Sequence, residues 1–123
     1  MKNKEIRWKA KNPLGQEIIL KESTYQEHID KDHQYEDSEY RKHAEEQAKI
    51  TIEKPQMIIR NEDDQNRDMY YRIVTMEYEK EEKKLKNMKV IVETDREPNE
   101  IVTWILQSKL KDIVKEVWIR YAN

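Results

Sequence analysis

Cysteine is absent from this chain of 123 residues, and glycine occurs only once. Without cysteine the protein forms no disulfide and no zinc site with thiolate ligands. A single glycine excludes the glycine-rich phosphate loops of P-loop and dinucleotide-binding proteins. No segment approaches the roughly 18 apolar residues of a membrane span, and the N-terminus lacks the apolar core of a signal peptide. We therefore expect a cytoplasmic protein that has no membrane as a partner.

Charged residues make up 41% of the chain and hydrophobic residues 36%, which predicts a very polar surface around one core. The length fits a single domain that spans residues 1–123. The net charge of −2 provides no overall attraction to nucleic acid. The charge is unevenly distributed, however. Residues 1–11 are basic, whereas residues 22–54 hold ten acids against five bases.

The first 21 residues have the pattern of a β-hairpin. In "EIRWKAK" the side chains alternate, so that Ile6 and Trp8 are expected on one face and Arg7 and Lys9 on the other. "NPLGQ" contains the only glycine and predicts a turn. "EIILK" then reads as the second strand.

Two helices are predicted next. In "ESTYQEHID", Thr24 with Glu27, or Ser23 with Gln26, fits a capping box at a helix start. A second helix is expected to begin near Asp37 or Ser38 and to end before Pro55, because proline disfavours helical geometry in the residue before it. Its apolar stripe recurs every four residues, at Tyr40, Ala44, Ala48 and Ile52.

From Pro55 onward the pattern is that of strands. The candidates are "MIIR", "MYYRIVTMEY", "MKVIVET", "IVTWILQ" and "EVWIRY", with "EKEEKKLKN" as a hairpin tip and "DREPNE" as a turn. Trp104 is expected in the core, and the adjacent Tyr70 and Tyr71 should face opposite sides. The order predicts an α+β fold: an N-terminal β-hairpin, two helices, then a curved antiparallel sheet of four or five strands with the helices on one face.

The stretch "YQEHIDKDH" carries two of the three histidines, His28 and His33. A separation of five residues turns the second ring about 140° away on an ideal helix, which disfavours a metal pair. Both can instead be structural, with His33 interacting with helix-end carbonyls. A third interpretation is acid–base chemistry, since imidazole exchanges protons near neutral pH. The spacing alone leaves these interpretations open.

The order "NPLGQEIIL", "YQEHIDKDH", "ITIEKPQMI", "YYR", "KVIVE", "IVTW" resembles the phage-associated nuclease domains of the barnase, EndoU, colicin and RelE-like group, often called PBECR domains. The resemblance covers about residues 12–121. It implies a small ribonuclease or toxin-like domain of a phage or mobile element, which cleaves RNA without metal or other cofactor. RNA, with tRNA as one candidate, would be the substrate, and an immunity or antitoxin protein would be a further partner.

The resemblance also implies a set of site residues. His28 and His33 would act as general acid and base, and Arg72 would stabilise charge on the phosphate. Tyr71 and Thr103 would orient the substrate. Apart from the resemblance, Lys109 lies in a predicted polar turn from which it could contact phosphate. Each residue also has an ordinary structural role open to it, and a domain can keep a fold while losing catalysis. The alternative function is therefore a catalytically silent protein-interaction module on the same fold.

Overall fold

The computed structural model describes residues 5–29, 38–60, 66–78 and 81–107, with the backbone alone at 28, 29, 77, 78 and 81–84. Within these residues the fold is α+β, as expected. The strands are β1 (Ile6–Lys11), β2 (Glu17–Lys21), β3 (Met57–Arg60), β4 (Arg67–Tyr78), β5 (Glu81–Glu93) and β6 (Asn99–Gln107). The helical segments are α1 (Glu22–Thr24), a π-helical segment (Tyr25–Ile29) and α2 (Ser38–Glu53).

The described strands form one sheet of six, in the order β1-β2-β6-β5-β4-β3. The prediction of four or five strands was therefore wrong, because the N-terminal hairpin joins the same sheet. It does so through a parallel pairing of β2 with β6, in which Ile18 is opposite Asn99 and Ile19 opposite Glu100. The other neighbouring strands are antiparallel. Since Ile18, Ile19 and Leu20 are all buried, β2 requires cover on both faces and occupies an interior position.

The predicted turn between β1 and β2 is confirmed. The amide of Gly15 donates to the carbonyl of Asn12, and Gly15 has a φ of 80°, in the left-handed region that favours glycine. The Asn12 side chain completes the turn, because its Oδ1 accepts from the amides of Leu14 and Gln16. Its Nδ2 donates to the hydroxyl of Tyr70 over 2.9 Å, which ties the hairpin to β4.

The first helical segment begins one residue after β2, at Glu22, and its N-cap Lys21 makes no side-chain capping bond. The predicted capping boxes were therefore wrong, since Ser23 and Thr24 already lie inside the helix and cannot precede it. Gln26 instead bonds the carboxylate of Glu22 over 3.1 Å. The segment Tyr25–Ile29 continues as a π-helix, and the backbone of His28 belongs to it.

The second helix agrees with its prediction at both ends, since α2 begins at Ser38 and ends at Glu53, just before Pro55. Ala44, Ala48 and Ile52 are fully buried, and Tyr40 packs against the same core. The four-residue apolar stripe therefore identifies the buried face of this helix.

The charged stretch "EKEEKKLKN" was predicted as a long hairpin tip between two strands. β4 and β5 do pair antiparallel across it, with Tyr78 opposite Glu81, but the predicted length of the tip was wrong. From Glu81 onward it is part of β5, with Leu85 opposite Thr75 of β4. Cross-strand pairing with β4 outweighs the low strand propensity of its lysines and glutamates. The predicted strand "EVWIRY" lies outside the described residues.

Each face of the sheet carries a cluster of buried side chains. The larger cluster lies between the sheet and the helices, and it includes Tyr70, Val90 and Trp104. A smaller cluster, which we call the second-face cluster, contains Ile59, Met69 and Tyr71. The expected divergence of Tyr70 and Tyr71 is thus confirmed, as is the core position of Trp104, which is 1% exposed.

Candidate functional site

Two predicted site residues lie side by side on β4 but point to opposite faces of the sheet. Tyr71 is 3% exposed in the second-face cluster, and its hydroxyl lies 3.7 Å from the Met69 sulfur. Lys89 Nζ lies 5.7 Å from the centre of its ring. Arg72, by strand alternation, is on the helical side. The structure therefore does not bring Tyr71 and Arg72 together.

Arg72 lies on β4, where it is half-buried against the end of α2. Its Nη1 donates to the carbonyl of Lys54 over 2.7 Å, so it satisfies a carbonyl that the end of the helix leaves unpaired. Within the described part of the chain its other guanidinium nitrogens have no partner, and they can still donate to an anion.

The remaining predicted residues are separated from Arg72 by the sheet or are not described. Thr103 pairs with Ile91 and shares the face of the second-face cluster. His28 has its backbone in the π-helical segment, and its side chain is outside the described residues. His33 and Lys109 lie wholly outside them. The predicted convergence of these side chains stays a prediction.

A cleft of about 430 Å³ opens between β1, α1 and α2. Its volume is within the usual range for small-molecule sites. Charged residues of both signs and one tryptophan line it: Arg7, Trp8, Glu22, Lys42, Glu45, Glu46 and Lys49. Glu22 of α1 lines the cleft, and α1 leads directly into the π-helical segment, which includes the backbone of His28.

Arg7 is the centre of the cleft's hydrogen-bond network. Its Nε and Nη2 donate to the two carboxylate oxygens of Glu45, over 2.5 and 3.0 Å, and its Nη1 donates to Glu22 over 2.8 Å. The guanidinium carbon lies 3.7 Å from the centre of the Tyr25 ring, within cation–π range. The bond to Glu45 raises the pKa of Arg7 further above its already high ordinary value, despite the opposing effect of burial.

The prediction that Arg7 and Trp8 face opposite ways was wrong. The register of β1 against β2 shifts between Ile6 and Trp8, which is the irregularity of a β-bulge. A bulge redirects a side chain, and both Arg7 and Trp8 reach the Glu45 carboxylate. A strict two-residue alternation could not reveal this pair.

Trp8 is held edge-on and packed on its core side. Its indole Nε1 donates to Glu45 over 2.8 Å. Its ring stacks on Trp104 with centroids 6.5 Å apart and planes 22° apart, and Tyr25 packs on Trp104 as well. The Trp104 Nε1 is buried without a hydrogen-bond partner in the part of the chain that the structure describes.

A separate charged group lies where β2 meets β6. Glu100 is buried, and it pairs with Lys21 and Arg96, each over 2.7 Å. Burial raises the pKa of Glu100, but the hydrogen bonds from both cations lower it by more, and the resulting pKa is below the ordinary value. Because both cations are engaged by this one carboxylate, the three residues form a structural ion-pair cluster.

Among the described residues no group of three or more histidine, aspartate or glutamate side chains is placed to hold a metal ion. No described helix is long and apolar enough to cross a membrane. Comparisons of the chain with family models, curated proteins and solved structures gave no match.

Proposed function

We propose that this chain is a ribonuclease-like domain that cleaves RNA without a metal ion. The observation that carries the proposal is the π-helical geometry of Tyr25–Ile29, which includes His28. Single π-turns are rare in proteins overall, and those that do occur are often at functional sites. The order of elements adds support, because a hairpin, a histidine-bearing helical turn and a helix that ends before proline precede the antiparallel strands β3 to β6.

The chemistry requires three groups. A base removes the proton of the RNA 2′-hydroxyl, an acid protonates the leaving 5′-oxygen, and a cation stabilises the charge on the phosphate between them. His28 and His33 supply the base and the acid in this proposal. Arg72 is the candidate cation, since it is half-exposed on the helical side and one bond to a helix-end carbonyl leaves it further donors. Tyr71 takes no part, because it is engaged in the second-face cluster.

The test is RNA cleavage by the purified protein in EDTA. His28→Ala and His33→Ala are each expected to lower the rate by at least ~10²-fold, the usual effect of losing a general acid or base. His43→Ala is the matched control, because His43 lies on α2 beside the carbonyl of Thr75 and has no role in the proposed chemistry. Equal losses in all three variants, or no cleavage of total RNA or a tRNA pool, would count against the proposal.

The second candidate is a catalytically silent module that binds another protein. It is favoured by the engagement of Tyr71 and Arg72 in packing and helix-end contacts. Such a module would be expressed in a bacterium without slowing growth. An active nuclease would require co-expression of an immunity or antitoxin protein. Growth that stops on expression of the wild type and recovers with the two histidine substitutions would reject the silent module.

A further inference from the structure

The indole of Trp8 is a preformed aromatic platform. Its N–H is fixed on Glu45, and Trp104 supports the ring from the core side. The ammonium group of Lys49, which also lines the cleft, lies over the ring with its Nζ 5.9 Å from the ring centroid. A flexible lysine is easily displaced from such a position, so the ring can accept a planar ligand without any change in the core.

The cleft has two lysines left after its internal ion pairs are formed. Glu22 and Glu45 are both bonded to Arg7, which uses its three guanidinium nitrogens on them. Of the cleft's charged residues, Lys42, Lys49 and the exposed Glu46 remain. Because Arg7 neutralises only one of its two glutamate partners, the three basic and three acidic residues that line the cleft balance to zero, whereas the whole chain is negative.

The two lysines are spaced along one side of α2. They are seven residues apart, which is two helical turns, or roughly 10 Å along the axis at 1.5 Å per residue. Both line the same cleft as Trp8. Ammonium groups placed at this separation around an aromatic ring can contact the phosphates on either side of a stacked base.

We propose that this cleft is a subsite for one nucleotide of single-stranded RNA. The base stacks on Trp8, and Lys42 and Lys49 contact the flanking phosphates. Stacking on an aromatic ring tolerates any base sequence, and the lysines follow the backbone. The assignment rests on the proposed ribonuclease function, and it places the substrate strand beside α1, which leads into the π-helical segment with His28.

An acidic peptide is the competing ligand for the lysines. It would leave the indole face unused, since carboxylates are not attracted to the negative face of an aromatic ring. A planar base uses both the ring and the cations. The held orientation of Trp8 therefore favours the nucleotide.

The experiment measures binding of a fluorescein-labelled 2′-O-methyl RNA hexamer by fluorescence polarisation. This RNA lacks the 2′-hydroxyl nucleophile, so binding is read independently of cleavage. K42Q/K49Q is expected to reduce the slope of log K against log salt by about 1.4, because each phosphate contact on a single strand contributes about 0.7 to the slope. K9Q/K11Q is the matched control, because it removes the same charge from exposed positions on β1 outside the cleft, and its slope should equal that of the wild type.

The platform is tested by Trp8→Leu against Trp8→Phe, with folding checked by circular dichroism. Loss of a stacked base predicts roughly tenfold weaker binding for Trp8→Leu, whereas Trp8→Phe keeps an aromatic face. If Trp8→Leu does not fold, the lysine pair and its control still decide the matter.

Three results would overturn the subsite: no binding of the hexamer, equal losses in the two lysine pairs, or equally strong competition by octaglutamate. The last would assign the cleft to an acidic protein. Binding at the cleft without cleavage of ordinary RNA would instead refute the ribonuclease and keep the subsite. RNA cleavage at the wild-type rate by K42Q/K49Q would refute the subsite and keep the ribonuclease.

Discussion

Removal of the Arg7 side chain should destabilise the protein far more than a surface ion pair normally does. Arg7→Ala deletes three charge-assisted hydrogen bonds and the packing against Tyr25. It also leaves the Glu45 carboxylate, whose side chain is 12% exposed, with the indole of Trp8 as its remaining described donor. Truncating one partner of a buried charge is costly because the other charge loses its compensation.

The expected loss lies between the surface and buried limits, because the Arg7 side chain is 29% exposed. Exposed ion pairs contribute about 0–1 kcal/mol, and breaking a buried pair costs about 3–5 kcal/mol. We expect about 2–3 kcal/mol for Arg7→Ala. With an unfolding entropy of about 2.1 cal/mol/K per residue, that loss lowers Tm by roughly 10 °C for a chain of this length.

The assay is urea unfolding followed by far-ultraviolet circular dichroism, with Arg7→Lys and Arg60→Ala alongside. Lysine keeps the charge but not the planar fork that reaches both oxygens of Glu45, so it should recover less than half of the loss. Arg60 pairs with Asp68 over 3.4 Å from a side chain that is 66% exposed, and its removal should cost under about 1 kcal/mol. If Arg7→Ala costs no more than Arg60→Ala, or if lysine restores wild-type stability, the network is an ordinary surface pair and partial burial of Glu45 does not strengthen it.

Three other predictions concern single positions. Gly15→Ala should lower the free energy of unfolding in denaturant by about 1–2 kcal/mol, because its φ of 80° strains a residue that has a Cβ. The added Cβ itself has open space, since no atom lies within 4 Å of it. A loss near zero would show that the turn relaxes. Trp104→Phe should be less destabilising than Trp8→Phe, because the Trp104 N–H has no described partner whereas the Trp8 N–H is bonded to Glu45. The reverse order of melting temperatures would contradict this. Glu100, with a pKa below the ordinary 4.5, contributes stability above that pH, and the contribution disappears as pH falls through the lower folded pKa. Glu100→Gln should therefore reduce stability at pH 7 and flatten its decline in acid, as measured by unfolding between pH 7 and 2.

Local patterns were sufficient for the elements that depend on neighbours in sequence. The stripe from Tyr40 to Ile52 identified the buried face of α2, and Pro55 marked its end. The single glycine marked the hairpin turn. These features follow from helix periodicity, the geometry before proline and the left-handed backbone at Gly15, all of which act within a few residues.

The position of the N-terminal hairpin in the sheet could not be predicted from local patterns. β2 could be recognised as a strand, but its partner is β6, some 80 residues later, and the pairing is parallel. A parallel pairing has no tight turn to reveal it. The one local hint was the unbroken apolar run of Ile18, Ile19 and Leu20, which is typical of a strand covered on both faces rather than of one half of an exposed hairpin.

The cleft was missed for a related reason. Its central ion pair joins Arg7 to Glu45 across 38 positions in the chain, and it depends on a bulge that turns Arg7 toward the same carboxylate as Trp8. In sequence, Arg7 is one of several bases in a basic N-terminus, and only the fold distinguishes it from Lys9. Conversely, the "YYR" stretch on β4 suggested one functional surface, yet strand alternation divides it between two faces. Two residues that are adjacent on a strand can therefore be assigned to one site only when the sheet shows that they share a face. The cleft, in contrast, is formed by residues distant in sequence, which the bulge in β1, the helix α2 and the Arg7–Glu45 ion pair bring together.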